Sequence, residues 1–280
     1  VLISVIVPTY NACALLTGCL RSLMEQDYPD FEVIVNDDPR TSDGTEQLVQ
    51  EMGERGMDIH YIKKNFRRAQ GRRDAATTAK GEIMLHMDTD MQVSKGLLRE
   101  CAGLIESGYD ALVIPEESFG TTFWARCRWL ERQCYDEVEP IEALRCLKSG
   151  IYAELGGHNP EMTYYEDKDL DLRVRRLGCK IGRTRNKILH DEGDLHLLDL
   201  VRKRAEYART AVIAADYYPL EIQWLGSVHN RYLLFYQKKD LFFANPLLGL
   251  GTIFMKTCEF SVGFFSFLRA KRKLAAGREA

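Results

Sequence analysis

Along the first two hundred residues, apolar positions follow two rhythms. Nearly unbroken runs at 1–7, 31–35, 83–85 and 111–115 alternate with stretches where apolar residues return every three or four positions, as at Leu15, Leu16, Cys19, Leu20 and Leu23. The runs suit strands covered on both faces, and the slower rhythm suits helices with one apolar side. The pattern predicts a strand over 1–7, a helix through Leu23, a strand over 31–35, a helix over about 45–52 and a short strand near 59–62. A helix over about 68–79 then feeds a strand over 83–87. Alternation at this spacing is the signature of a doubly wound, mostly parallel α/β sheet with helices on both faces.

The rhythm changes after Asp199. Val201 to Arg209 is basic and helical, and Tyr217-Tyr-Pro219 breaks it. Trp224, Arg231, Tyr232, Phe235, Tyr236, Lys238 and Lys239 then mix aromatic and basic groups, as suits a helix at a membrane interface. Residues 241–268 are almost wholly apolar apart from Asn245-Pro246, Lys256 and Glu259, and a basic cluster over 269–273 follows. About 20 apolar residues span a bilayer, and a cationic flank fits a cytoplasmic end. Lys256 and Glu259 are three apart, a spacing that lets them pair on one helix face. The competing expectation is a helical hairpin or interfacial segment packed on the rest of the chain.

With 280 residues, 28% charged and a net charge of −3, composition makes no case for nucleic acid. The eight cysteines include no Cys-x-x-Cys pair, which argues against a zinc ribbon or redox motif. Val1 opens directly in an apolar strand without an initiator Met, so an upstream piece is expected.

Candidate chemistry begins at Asp88-Thr-Asp90, where an apolar strand leaves the sheet. Residues i and i+2 of a strand share a side, so the two carboxylates form a site for Mg²⁺ or Mn²⁺ with substrate phosphates. Tyr10 and Asp38 also fall just past strand ends, where ligands sit in such sheets.

Val5-Ile-Val-Pro-Thr-Tyr-Asn11, Phe31-Glu-Val-Ile-Val-Asn-Asp-Asp38, Ala69-Gln-Gly-Arg-Arg-Asp-Ala75 and Asp88-Thr-Asp90 come in an order that closely resembles family-2 inverting glycosyltransferases of the GT-A fold. The resemblance covers about residues 1–200. It implies that Pro8, Tyr10 and Asn11 line the nucleotide-sugar site and that Asp38 accepts a hydrogen bond from the base. It puts Arg73 by the base or diphosphate, Asp88 near the ribose, and Asp90 (with Asp88 beside it) on a Mn²⁺ or Mg²⁺ ion. Two departures stand out: Pro39-Arg40 replaces the usual Gly-Ser, and Asp74 replaces a customary Asn. By the same resemblance, Asp167 of Glu166-Asp167 is the base that deprotonates the acceptor hydroxyl, with Glu166 positioning it or touching the acceptor. The plainer alternative is a set of first-turn carboxylates favoured by a helix dipole, as suits Asp169 and Asp171. His190 ends an apolar strand after that helix, where many GT-A enzymes bind metal or diphosphate. Phe123, Trp124 and Gly157 are the acceptor-side candidates, and 139–145 is similar to the family's acceptor segment. His60, His158, His196 and His229 stay unassigned.

The expected layout is a catalytic domain over 1–200 (nucleotide-sugar half 1–92, acceptor half 93–200), interface helices over 201–240 and a membrane-embedded segment over 241–280. The expected activity is metal-dependent inverting transfer of a hexose, mannose from GDP-mannose first, to a lipid-linked glycan, with the catalytic domain on the cytoplasmic membrane face. The alternatives are a hexosyltransferase acting on polyprenyl or dolichyl phosphate with UDP-glucose or GDP-mannose, and a non-catalytic membrane scaffold. A nucleotidyltransferase would want a Gly-rich basic loop after the first strand, which Pro8-Thr-Tyr-Asn-Ala-Cys13 is not.

Overall fold

The first apolar run becomes β1 (Ile3–Thr9), whose alternate residues serve different cores: Ile3, Val5 and Val7 on one face, Ile6 on the other. That double burial is why the run carries almost no polar residue. The chain is described here from a computed structural model covering residues 1–64, 67–162 and 164–278, apart from the side chains of residues 209 and 276–278. After β1 come α1 (Cys13–Met24), β2 (Phe31–Asp37), α2 (Thr45–Glu54), β3 (Ile59–Ile62), α3 (Arg68–Ala76), β4 (Ile83–His86), β5 (Met91–Val93), α4 (Leu97–Glu106) and β6 (Ala111–Val113). β7 (Glu116–Phe119) and α5 (Phe123–Gln133) lead to β8 (Leu144–Lys148), α6 (Ser149–Glu154), α7 (Glu166–Arg176), β9 (Ile181–Arg183) and β10 (Ile188–Asp191). Five helices close the chain: α8 (Leu197–Tyr217), α9 (Pro219–Gly226), α10 (Val228–Gln237), α11 (Lys239–Ala244) and α12 (Pro246–Arg278).

Seven strands form one sheet in the order β3-β2-β1-β4-β8-β6-β9. β8 alone runs against its neighbours β4 and β6, and the other pairings are parallel. The expected mixed, mostly parallel α/β sheet is present. β1, β2 and β4 therefore all end at one edge, and the antiparallel β8 begins there. α3 stops at Ala76, shorter than its sequence pattern predicts.

The chain divides into two compact units. The first holds the sheet and comprises Val1–Glu116, Ala143–Glu161 and Glu166–Asp191. The second joins Glu117–Glu142 and Met162–Tyr165 to the C-terminal helices. The segment carrying α5, expected inside the catalytic region, thus belongs with the helical end. The reason is packing: Cys127 and Leu130 of α5 share a core with Leu248 and Met255 of α12. Thr252 Oγ1 donates to the Cys127 carbonyl at 3.1 Å, and a Cβ at Gly251 would lie 2.5 Å from the Phe123 ring.

α12 is a single 33-residue helix, long and apolar enough to cross a membrane. Pro246, expected to interrupt the apolar stretch, begins this helix, a position where its missing N–H costs nothing. Lys256 and Glu259 pair at 2.6 Å, as their spacing predicts. They are buried, and each also meets α5: Lys256 with Glu131 and Glu259 with Arg128, while Arg128 and Glu131 pair with each other. Leu247, Leu250, Phe254, Phe264, Phe265 and Leu268 of the same helix are exposed.

Candidate active site

Strand direction explains what gathers at the sheet's polar edge. β1, β2 and β4 deliver Tyr10, Asp38 and Asp88 just past their ends, and β8, running the other way, delivers Arg145 at its beginning. On α3 the residues Ala69, Arg72 and Ala75 recur every third position and form the buried side, so Arg72 points inward as a wholly buried cation. α7 begins with Glu166 and Asp167, where carboxylates are favoured by the helix dipole.

These groups form one alternating charge network. Arg72 Nη2 lies 2.7 Å from Asp88 Oδ1 and 3.8 Å from Asp167 Oδ1, and its Nη1 lies 3.4 Å from Glu166 Oε1. Arg145 Nη1 donates to Asp167 Oδ2 at 2.8 Å, and its Nη2 donates to Glu116 Oε1, also at 2.8 Å. His158 Nε2 stands 3.2 Å from Asp167 Oδ1, and its Nδ1 is 2.9 Å from the Tyr152 hydroxyl. Burial pushes the Asp167 carboxyl up, but Arg72, Arg145 and the His158 hydrogen bond outweigh it and hold the pKa well below the usual carboxylate range. Burial and the neighbouring Asp167 raise Glu166. The adjacent carboxyls are thus pushed in opposite directions, Asp167 toward the ionised form and Glu166 toward the protonated one.

Around the ends of β1 and β2, Tyr10 is half exposed and Pro8 is buried within β1. Asn11 adopts the left-handed region (φ 44°), and its Oδ1 accepts the Ser42 N–H at 2.9 Å, tying the loop after β2 to the end of β1. Arg40 closes on Asp38 through both carboxylate oxygens, at 2.8 and 2.6 Å, and lies 5.3 Å from the Tyr10 ring centre. That paired guanidinium holds the Asp38 carboxyl below its ordinary pKa. Asp37 instead takes the hydroxyls of Thr41 and Tyr61.

β10 pairs antiparallel with β5, and the Asp191 N–H donates to the Asp90 carbonyl at 2.7 Å. This brings His190 Nε2 to 3.1 Å from Asp90 Oδ2, with His190 Nδ1 3.7 Å from Glu116 Oε2. One carboxylate oxygen and one imidazole nitrogen, backed by a second carboxylate, fit a divalent ion such as Mn²⁺ better than Mg²⁺. Asp88, expected beside the ion, gives its Oδ1 to Arg72 at 2.7 Å. A further ligand-type cluster, Glu32, Asp58 and His60, lies at the opposite ends of β2 and β3. Glu32 there clasps Ser4 Oγ and the Lys80 N–H, both at 2.6 Å.

The site's N-terminal frame also matches a known family: residues 4–150 fit Glycosyl transferase family 2. The chain belongs to this family. Among curated relatives, the GalNAc(5)-diNAcBac-PP-undecaprenol beta-1,3-glucosyltransferase of Campylobacter jejuni is 32% identical over 110 residues, 38% of this chain and 35% of that protein. The poly(ribitol-phosphate) beta-N-acetylglucosaminyltransferase TarS of Staphylococcus aureus is 36% identical over 116 residues, 40% of this chain and 20% of that protein. The match thus spans about a third and a fifth of these two relatives. The mannosyltransferase PcManGT from Pyrobaculum calidifontis, solved with GDP-Man and Mn²⁺, aligns over 95% of this chain and 86% of its own at 18% identity and a TM-score of 0.66. The TarS 1–349 structure with UDP-GlcNAc aligns over 98% and 92% at 18% identity and a TM-score of 0.58. Both share the fold.

The glycosyl transferase family 2 match ends before His158, Asp167 and His190, so their arrangement is read from the structure alone. Arg73, the arginine expected by the diphosphate, is only half-buried, and its neighbour Arg72 reaches Asp88 instead. The i, i+3, i+6 face of α3 was the signal that distinguishes them. Gly157 has φ +75°, and a Cβ there would lie 2.9 Å from the Tyr152 ring, so it lets the chain cross Tyr152 closely. Phe123 and Trp124 lie in the second unit, T-shaped to each other at 5.0 Å, with Trp124 stacked on Phe254. Glu116, Tyr152 and His158 were not expected at the site, and Arg145 was expected only as the end of the acceptor-side segment 139–145. Each comes from a different element, and no local pattern announces them.

Proposed function

We propose that this chain is a metal-dependent inverting glycosyltransferase that moves a hexose from a nucleotide-diphosphate donor to a saccharide hydroxyl on a lipid-linked acceptor. The observation that carries this reading is Asp167, fixed at the start of α7 between Arg145 and His158 and linked through Arg72 to Asp88. The acceptor hydroxyl attacks the anomeric carbon opposite the diphosphate, the new C–O bond forms, the bond to the diphosphate breaks, and the proton passes to an Asp167 oxygen. A carboxylate held at low pKa is a weak base for a neutral alcohol. Proton transfer therefore comes late, once bond formation has acidified the hydroxyl. Glu166, buried beside Arg72, positions Asp167. A divalent cation held by Asp90 and His190 would neutralise charge building on the leaving diphosphate.

GDP-mannose is the favoured donor. Arg40 occupies both oxygens of Asp38 and offers its donors beside Tyr10, and guanine presents an O6/N7 acceptor pair that suits a guanidinium. The lipid-linked acceptor is supported by the undecaprenol-linked substrate in the name of the Campylobacter relative and by the exposed apolar face of α12. That face also supports membrane association, and the basic cluster over 269–273 favours a catalytic domain on the cytoplasmic side.

Nucleotide release is measured with GDP- and UDP-sugars, Mn²⁺ or Mg²⁺, and with or without membrane lipid extract. Lipid-stimulated release from GDP-mannose in Mn²⁺ is expected. Asp167→Asn should retain donor binding and lose at least about 100-fold in transfer. Stimulation by a UDP-sugar alone overturns the donor. Release indifferent to lipid overturns the acceptor, and unchanged turnover in Asp167→Asn removes the base.

A further inference from the structure

We propose that His158 is a positioning residue for sugar transfer: its Nε2–H, locked by the Tyr152 hydroxyl, fixes the carboxylate plane of Asp167. This rests on the reading of Asp167 as the base.

Three contacts set the tautomer. The His158 backbone N–H points to the Tyr152 oxygen at 3.3 Å, so that oxygen acts as acceptor there and its proton turns to His158 Nδ1 at 2.9 Å. With Nδ1 accepting, a neutral ring carries its proton on Nε2, 3.2 Å from Asp167 Oδ1. Burial keeps the imidazole neutral by lowering its pKa. The ring itself has no freedom: it is 1% exposed and meets His86 edge-on at 4.7 Å. The loop that carries it is clamped as well, since Arg173 donates to the carbonyls of Leu155 (3.0 Å) and Gly157 (2.8 Å) while pairing with Asp169.

The consequence falls on the two oxygens of Asp167. Oδ1 is held by a buried, rigid donor. Oδ2 is held by Arg145, whose Nη1 also stands 3.8 Å from Asp88 and whose other nitrogens grip Glu116. His158 anchors Oδ1 and Arg145 anchors Oδ2, so the carboxylate plane is fixed only while both donors are in place. A side chain of the same bulk without a donor would preserve the packing and release the carboxylate from that anchor.

The test uses the full chain with lipid acceptor and measures kcat and donor KM for Asp167→Asn, His158→Phe and His158→Gln. His158→Phe should lose about 10–100-fold in kcat with donor KM within about twofold, because a misplaced base costs rate and not ground-state binding. His158→Gln, which returns an N–H near the Nε2 position, should recover most of that loss. Parent-like kcat in His158→Phe overturns the proposal, as does an equal loss in both substitutions. Should His158→Phe fail to fold, Tyr152→Phe keeps the ring and removes the hydroxyl that both sets the tautomer and takes the His158 backbone N–H. A lowered kcat at unchanged KM then supports the proposal, and a parent-like kcat overturns it. If Asp167→Asn itself transfers normally, the base reading falls and the positioning role falls with it. If Asp167→Asn is dead while His158→Phe is normal, only the positioning role falls.

Discussion

His86, behind the charge network, is 2% exposed, and neither ring nitrogen has a hydrogen-bond partner among the described residues. Burial, then the nearby His158 and Arg72, push its pKa well below the ordinary 6.5. An unfolded chain therefore binds more protons than the folded one below about pH 6.5, so stability is lost as pH falls through that range. His86→Phe removes two unsatisfied polar atoms while keeping a flat ring against Tyr152. A gain of about 1 kcal/mol is expected, or about 2–4 °C in Tm. Melting curves between pH 7.5 and 5 should also show a shallower acid loss than the parent. A variant less stable than the parent at every pH would mean that the ring nitrogens have partners in the working protein. His86 also shows why the site was only partly legible in the sequence. Asp88, Asp90 and Asp167 announce themselves through strand ends and a helix start, whereas His86 and His158 acquire meaning only from what packs on them.

At the scale of elements, the same distinction holds. The parallel strands and their helices were legible because each obeys a local rhythm, and the Lys256–Glu259 pair because it is an i, i+3 contact. The place of α5 was not, since Arg128 and Glu131 meet their α12 partners across more than a hundred residues of chain. Arg72 went unnoticed beside Arg73, although the three-residue spacing of the α3 burial face was available. The buried quartet joining α5 to α12 makes its own prediction. Lys256→Met leaves Glu131 and Glu259 buried with less compensating charge, which should cost about 3–5 kcal/mol. Lys256→Met combined with Glu259→Gln leaves Arg128 with Glu131 and should recover much of the loss. Thermal melts in detergent measure both, and a double variant no better than the single would show that the quartet is not a coupled unit.

For the whole molecule, net charge is nearly balanced at −3, so attraction to an anionic membrane has to come from local features. α12 supplies two, of different physical kinds. Its exposed Leu247, Leu250, Phe254, Phe264, Phe265 and Leu268 offer apolar area, whose transfer out of water is little affected by salt. Its Arg269, Lys271, Arg272 and Lys273 offer charge, each about 1 kcal/mol near anionic lipid and screened by salt. Flotation of the full chain with vesicles separates them. The parent should float with anionic vesicles and remain largely bound when salt is raised. Burying one Leu and one Phe contributes about 3–6 kcal/mol, so Leu250→Asp with Phe254→Asp should weaken partitioning at least about 100-fold. The melting temperature should fall only modestly, because Leu250 faces outward and Phe254 gives up no more than its stacking on Trp124. Glutamates at Lys271 and Lys273 should instead weaken binding mainly at low salt. A parent chain that stays monodisperse without lipid or detergent would assign the outward face of α12 to a protein partner, and the need for a membrane-held acceptor would lose its structural support.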